Sequence, residues 1–328
     1  MDKKFDSTIS IIRVLAMLSI IVGHWCAMMG INDYQLLAIG VEIFLLISGF
    51  LYRKKEVPNA LKWIGQRWKR LIPPYWISLA LVISIRILIG LEIRLDSIII
   101  CMLNLQGLDR IFINLVIHGI PGMGQVWFLS VLAVAYALMI VLKKKKEFEE
   151  YISEHRCMCL IVSVFGQFVL VYAGIQIVYI ICFFIGYFWG NDWHVDRKQY
   201  GFITLSLMVA MIIRLISRSV IDGTNIYDHI IARWSFIILA IWSVVTLTGV
   251  CNVFKKLSGQ LARARGWKLL DLASYPMFLT HYMFLSGDFT VNKWCFNQTL
   301  AMVVFTIISA VIIMIITDFK GIKKVICV

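Results

Sequence analysis

Arg13-Val-Leu-Ala-Met-Leu-Ser-Ile-Ile-Val-Gly-His24 is an apolar run with an ionisable residue at either end. At ~100° per helical residue, the eleven steps from Arg13 to His24 return the side chain to within ~20° of its first direction over a rise of ~16 Å. Both residues therefore share one helix face. At membrane depth an ionisable group costs roughly 2.5–3.5 kcal/mol on insertion scales, so such groups turn toward a polar interior and mark functional sites. Two of them on one face predict a lined cavity within a helical bundle.

The rest of the chain has the same character. Of its 328 residues, 60% are hydrophobic and 16% charged, and the mean hydropathy is +0.84. That composition excludes an ordinary soluble domain. Runs of ~20 apolar residues cross the hydrocarbon core, and the sequence predicts them at 8–29, 33–52, 72–90, 125–142, 158–173, 175–190, 201–217, 231–250, 273–289 and 299–317. The expectation is an all-α integral membrane protein with about ten transmembrane helices. Residues 1–328 read as a single transmembrane domain with no soluble extension and no cleavable signal peptide, because the first apolar segment is long and carries an Arg.

Lys and Arg orient the bundle. Placing both termini in the cytoplasm puts most of the 32 Lys and Arg residues in the inner segments 53–70, 143–157, 191–200 and 251–272 and at the termini, including Lys3 and Lys4. Arg13, Arg86, Arg214 and Arg233 fall within spans, leaving Arg94, Arg110, Arg218 and Lys293 for outer loops, in accord with the positive-inside rule. The net charge of +13 thus encodes topology and attraction to anionic membrane lipids, with no nucleic-acid partner implied. The eight cysteines are scattered, and Cys157-Met-Cys159 lacks the spacing and His partners of a metal site, so no metal is expected.

Four segments carry chemistry. His24, near the outer end of the first span, has the imidazole of a general base; the plain alternative is a packed histidine bonded to a backbone carbonyl. The second span runs back through Gly40-Val-Glu42-Ile-Phe-Leu-Leu-Ile-Ser-Gly49-Phe, which sets Glu42 ~15 Å from the inner end and at the depth of His24. A carboxylate beside a histidine is the base-plus-orienter arrangement that activates hydroxyl nucleophiles, although Glu42 also suits neutralising a nearby Arg. The basic inner loop ends Arg67-Trp-Lys-Arg70-Leu-Ile-Pro73-Pro74. Its i, i+3 arginines suit bidentate phosphate binding or a membrane anchor, and the prolines suit the first turn of a new helix. Trp127-Phe128 opens the fourth span as a sugar-stacking platform or an interfacial aromatic belt. His281, counted from Ser274 at the inner side, lies ~10 Å deep and near the level of Arg13. His118, His155, His194 and His229 fall in loops and form no pattern.

Together these segments resemble the acyltransferase family 3 membrane proteins, which include bacterial O-acetyltransferases of capsular and other surface polysaccharides. Arg13 and His24 match the family's Arg-x10-His element. Gly40, Val41, Glu42, Phe44, Ser48, Gly49 and Phe50 match its Gly-Val-acidic-x-Phe…Ser-Gly-Phe element, and Arg67 and Arg70 its Arg-x-x-Arg. Trp127-Phe-Leu and the Ser…Leu-x-His281 run also fit. After Trp127-Phe-Leu this chain reads Ser-Val-Leu-Ala-Val, where branches carrying an added esterase-like domain have acidic residues.

The resemblance implies a multi-pass protein of the bacterial cytoplasmic membrane with acetyl-CoA as cytoplasmic donor and a glycan hydroxyl as acceptor. In that reading His24 and Glu42 are catalytic, and Arg13, Arg67, Arg70 and His281 contact the donor. Trp127 and Phe128 contact the glycan. Ionisable residues on bundle-facing helices also suit a proton-coupled transporter or glycan flippase. No internal repeat of the kind such transporters carry is evident between the two halves.

Overall fold

A computed structural model describes residues 7–31, 36–37, 39–53, 55–189, 193–220, 226–285 and 297–326. Lys3, Lys4, Lys54 and Lys293, used above for orientation, lie outside the described residues, as do parts of the predicted second, sixth and ninth spans (33–35, 38, 190 and 286–289).

The described chain is helical. Its helices are α1 (Ser7–Met28), α2 (Gly40–Arg53), α3 (Ala60–Leu88), α4 (Leu95–Met102), α5 (Trp127–Lys144), α6 (Lys146–Glu154), α7 (Arg156–Tyr172), α8 (Val178–Phe188), α9 (Arg197–Val220), α10 (Ile226–Val253), α11 (Lys255–Arg263), α12 (Arg265–Leu285) and α13 (Gln298–Ile326). Each of the ten predicted spans corresponds to one of them. Among the described residues, however, six are long and apolar enough to cross a membrane, or up to seven if α6 and α7, bent by 92° at His155, form one span. Two of the shortfalls are matters of length: α2 has 14 residues and α8 only 11, against the ~20 that span a hydrocarbon core.

Two helices begin well before their apolar segments. Helix α3 starts at Ala60, where the Asn59 side chain caps it by accepting from the Lys62 amide at 2.9 Å, so Pro73 and Pro74 lie inside it and not in its first turn. Proline removes the amide that the carbonyl four residues earlier would use. At that weakened turn the Tyr275 hydroxyl of α12 donates to the Leu71 carbonyl at 2.9 Å, tying α3 to α12. Helix α12 likewise starts at Arg265, two and a half turns before Ser274. In both cases the charged first turns obscure the helix in a hydropathy reading.

Helices α2, α3, α5 and α8 share a core in which Leu45, Leu46, Tyr75, Met139 and Phe183 are buried. Helix α2 packs most closely on α8, and glycine permits it. A Cβ on Gly49 would sit 1.9 Å from the Phe183 carbonyl, and one on Gly186 would sit 1.9 Å from the Leu46 carbonyl. Against α1, a Cβ on Gly40 would meet the Ala16 carbonyl at 2.0 Å. Small residues that let backbones approach are the usual means of helix association in membranes, where lipid offers no hydrophobic drive. These contacts seat α2 and with it Glu42. We expect Gly49→Ala or Gly186→Ala to force the two helices apart, costing about 1–3 kcal/mol as overpacked substitutions do. The check is the thermal midpoint of the purified protein in detergent, which should fall for both variants and stay unchanged for Gly249→Ala, where a Cβ meets open space.

Candidate functional site

Helices α1 and α12 run side by side in the same direction and are joined by polar contacts at two levels. At the lower level Arg13 grips Asp271, with Nε 2.8 Å from Oδ1 and the terminal nitrogen 2.6 Å from each carboxylate oxygen. Ser10 adds a hydroxyl donor to Asp271 at 3.0 Å. At the upper level, His24 Nδ1 lies 2.8 Å from His281 Nε2. Arg13 to His24 and Asp271 to His281 are rises of ~16 and ~15 Å along their helices, so the two contacts are in register. His281 is therefore level with His24, not with Arg13. It is sixteen residues from the start of α12 at Arg265, and counting from Ser274 places it too shallow.

The histidine pair fixes its own protons. His281 is fully buried, and its Nδ1 faces the carbonyl oxygens of Phe278 at 2.9 Å and Met277 at 3.2 Å. Carbonyls only accept, so Nδ1 carries the hydrogen, and in a neutral pair His281 Nε2 is then a bare acceptor. His24 must donate to it from Nδ1. That leaves the lone pair of His24 on Nε2. The rings stack with centroids 5.1 Å apart and planes 13° apart, and Tyr282 closes on His24 edge-on at 4.9 Å.

His24 lines a cavity of about 490 Å³ whose wall also includes Glu42, Arg110, Gln125, Trp127, Tyr179, Arg233 and Tyr282. The depth match of His24 and Glu42 thus corresponds to a shared cavity. The predicted contact between them does not: the carboxylate of Glu42 is 4.0 Å from an Arg233 terminal nitrogen on α10, and the partner of His24 is His281. Glu42 is 3% exposed, and burying it beside a guanidinium offsets the cost of its charge. The aromatic pair divides likewise. Trp127 lines the cavity and packs on Tyr179 at 4.7 Å, whereas Phe128 is buried between Phe44 and Phe278 at 6.2 and 5.9 Å, away from the cavity wall.

About 15 Å along α2 from Glu42, the other end of the bundle carries the arginine pair. Tyr52, Trp63 and Tyr136 meet edge-to-face at 5.2–5.3 Å, and Arg67 lies over the Tyr52 and Trp63 rings at 4.7 and 5.2 Å. Its Nε is buried without a hydrogen-bond partner. Arg70, one turn on, is exposed. Lys143 reaches the Arg53 carbonyl at 2.9 Å and lies over the Tyr187 ring at 5.1 Å, so this end is basic and aromatic. Such a surface can hold phosphate groups.

The sequence alone assigns no role to Asp271, Gln125, Tyr282 or Arg233. A signal for the first existed: Asp271 and His281 repeat, on α12, nearly the spacing of Arg13 and His24 on α1. Arg233 lies 191 positions from Glu42, and no local pattern could pair them.

No curated protein and no solved structure matches the chain. The sequence model of acyltransferase family 3, described as an acyltransferase domain, matches residues 6–319. Covering nearly every element that builds the cavity and both polar clamps, that match makes this chain a member of the membrane acyltransferases of family 3.

Proposed function

We propose that this acyltransferase moves an acetyl group from cytoplasmic acetyl-CoA to a hydroxyl of a cell-surface or lipid-linked glycan, with the transfer taking place at His24. The observation that carries the reading is the 2.8 Å contact of His24 Nδ1 with His281 Nε2, whose own Nδ1 faces the Phe278 carbonyl; it assigns the lone pair of His24 to Nε2, on a ring that lines a polar cavity. A fixed tautomer with one nitrogen left basic is what a general base requires. His24 Nε2 takes the proton of the acceptor hydroxyl as its oxygen attacks the thioester carbonyl. The C–S bond breaks, the proton passes from the imidazolium to the departing thiolate, and an O-acetyl ester and free coenzyme result. His281 serves as the positioning residue for His24, the part assigned to Glu42 by depth alone. Glu42 and Arg233 contribute a fixed ion pair to the cavity wall.

The donor enters in this account from the Arg67 end. Arg67 and Arg70 take its phosphates, supported by the unpartnered Arg67 Nε, and the thin arm spans the ~16 Å between the Arg13 and His24 levels. The chain crosses the bacterial cytoplasmic membrane about ten times with both termini inside, short helices such as α2 and α8 included. The Lys and Arg distribution supports this orientation.

His24→Ala should abolish acetylation of the surface glycan while protein abundance holds, since a missing general base typically costs 10²–10⁴ in rate. Mass spectrometry of glycan from cells carrying the variant is the check, and normal acetylation there rejects the assignment. His281→Leu should lower kcat with the KM for acetyl-CoA unchanged, and His281→Gln, whose amide oxygen can still accept from Nδ1, should recover part of the rate. A raised acetyl-CoA KM with intact kcat would instead make His281 a donor contact.

Exchange of Arg67 or Arg70 for Lys keeps the charge but removes the planar fork. Each should raise the acetyl-CoA KM of the purified protein about tenfold or more, as expected for the loss of a charged hydrogen bond. Equal affinity in the double Lys variant would move the donor site elsewhere. Orientation is checked by single cysteines at positions 62 and 146, in a background cleared of reactive native cysteines. An impermeant thiol reagent should fail to label them in intact cells and should label cysteines placed in 91–124.

A further inference from the structure

Among the described residues, the cavity wall carries more positive charge than negative: its charged members are Glu42, Arg110 and Arg233, and the first is paired with the last at 4.0 Å. Arg110 is the remaining one. Its Nε lies 3.8 Å from Asp109 Oδ1, too far for a hydrogen bond, and that carboxylate oxygen is itself buried without a hydrogen-bond partner. Asp109 is not part of the wall. Arg110 sits in a short 3-10 turn, Leu108–Arg110, of the 103–126 segment, with its guanidinium 5.9 Å from the Trp127 ring centroid.

Gln125 supplies a second, independent sign of a ligand. It is 3% exposed, and its amide nitrogen donates to the Leu279 carbonyl at 2.7 Å, which fixes the other terminal atom as oxygen. That oxygen is buried with no hydrogen-bond partner, on a residue that lines the cavity. A buried polar atom left unsatisfied costs roughly 1–3 kcal/mol, and a bare carbonyl-type oxygen is satisfied only by a donor such as a hydroxyl. The wall thus pairs a guanidinium fork suited to an oxyanion with an acceptor suited to a hydroxyl, and Trp127 lines the same cavity.

We propose that the cavity selects an acidic glycan unit, its carboxylate or phosphate on Arg110 and one hydroxyl on Gln125 Oε1. The inference rests on the glycan-acceptor reading above and names the class of that acceptor. A neutral sugar would leave the Arg110 fork, 3.8 Å from Asp109, without a charge-assisted hydrogen bond, whereas a carboxylate or phosphate meets it with two parallel hydrogen bonds. The charged group also sets which hydroxyl reaches His24, because the Arg110 contact anchors one side of the sugar ring.

Binding can be separated from chemistry in a test with defined probes. Fluorescently labelled protein in lipid nanodiscs is titrated by thermophoresis with a hyaluronan tetrasaccharide, with its carboxyl-reduced counterpart, and with maltotetraose carrying a 6-phosphate or none. The acidic member of at least one pair should bind about tenfold or more tightly than its neutral counterpart, the scale of one charge-assisted contact. Which pair shows the preference distinguishes carboxylate from phosphate. Arg110→Gln should erase the preference, and Arg110→Lys should retain part of it. Equal binding of acidic and neutral members in both pairs, or a preference that survives Arg110→Gln, overturns the inference. Acetylation of the bound probe from labelled acetyl-CoA is read separately: an Arg110-dependent preference without acetylation keeps the acidic site and counts against the acetyl-transfer reading alone.

Discussion

The parallel seating of α1 against α12 is the constraint on which the site depends. Two polar clamps hold it: Arg13 on Asp271 at one level, and His24 on His281 about three turns above. In a bilayer, apolar packing alone sets neither the rotation nor the vertical register of a helix pair, because lipid competes for the same surface. A bidentate ion pair does set them, since its geometry is lost on a slip of one residue. Asp271 is the more buried partner, with 11% of its side chain exposed against 41% for Arg13. The lower clamp thus brings His281 level with His24, and the upper clamp places the His24 proton on Nδ1.

Around that axis the remaining elements bring the other groups into one cavity. Close backbone approaches at Gly40 and Gly49 lodge α2 between α1 and α8, which carries Glu42 to the cavity and to Arg233. The segment before α5 is pinned by Ser130, which accepts from the Gly107 amide at 3.0 Å and donates to the Asn104 carbonyl at 2.7 Å. It holds Arg110, Gln125 and Trp127 on one wall. Catalytic and binding groups on loops need such anchoring, because an untethered loop cannot hold a productive geometry.

Much of this was legible in the amino-acid order, and the rest has identifiable causes. The helical membrane class, the shared face of Arg13 and His24 on α1 and the common depth of His24 and Glu42 follow from composition and helical arithmetic. The positions of the α3 and α12 starts do not, because Lys62, Arg67 and Lys69 in one and Arg265, Lys268 and Asp271 in the other hide helix behind charge. That error alone misplaced His281 by more than two turns. Partnerships such as Glu42 with Arg233 and Arg13 with Asp271 are set by tertiary packing across long sequence separations. Phe128 is buried beside a cavity-lining Trp127 because adjacent residues on a helix point ~100° apart, which a composition-based platform overlooks.

The central claim is that His281 holds His24 with its proton on Nδ1 and its lone pair on Nε2, and nitrogen NMR reads this directly. Protein with ¹⁵N-labelled histidine in lipid nanodiscs, assigned through His24→Gln and His281→Gln variants, should show both rings neutral and protonated at Nδ1 near neutral pH. A His24 ring protonated at Nε2, or a pair insensitive to each other's replacement, would contradict the account.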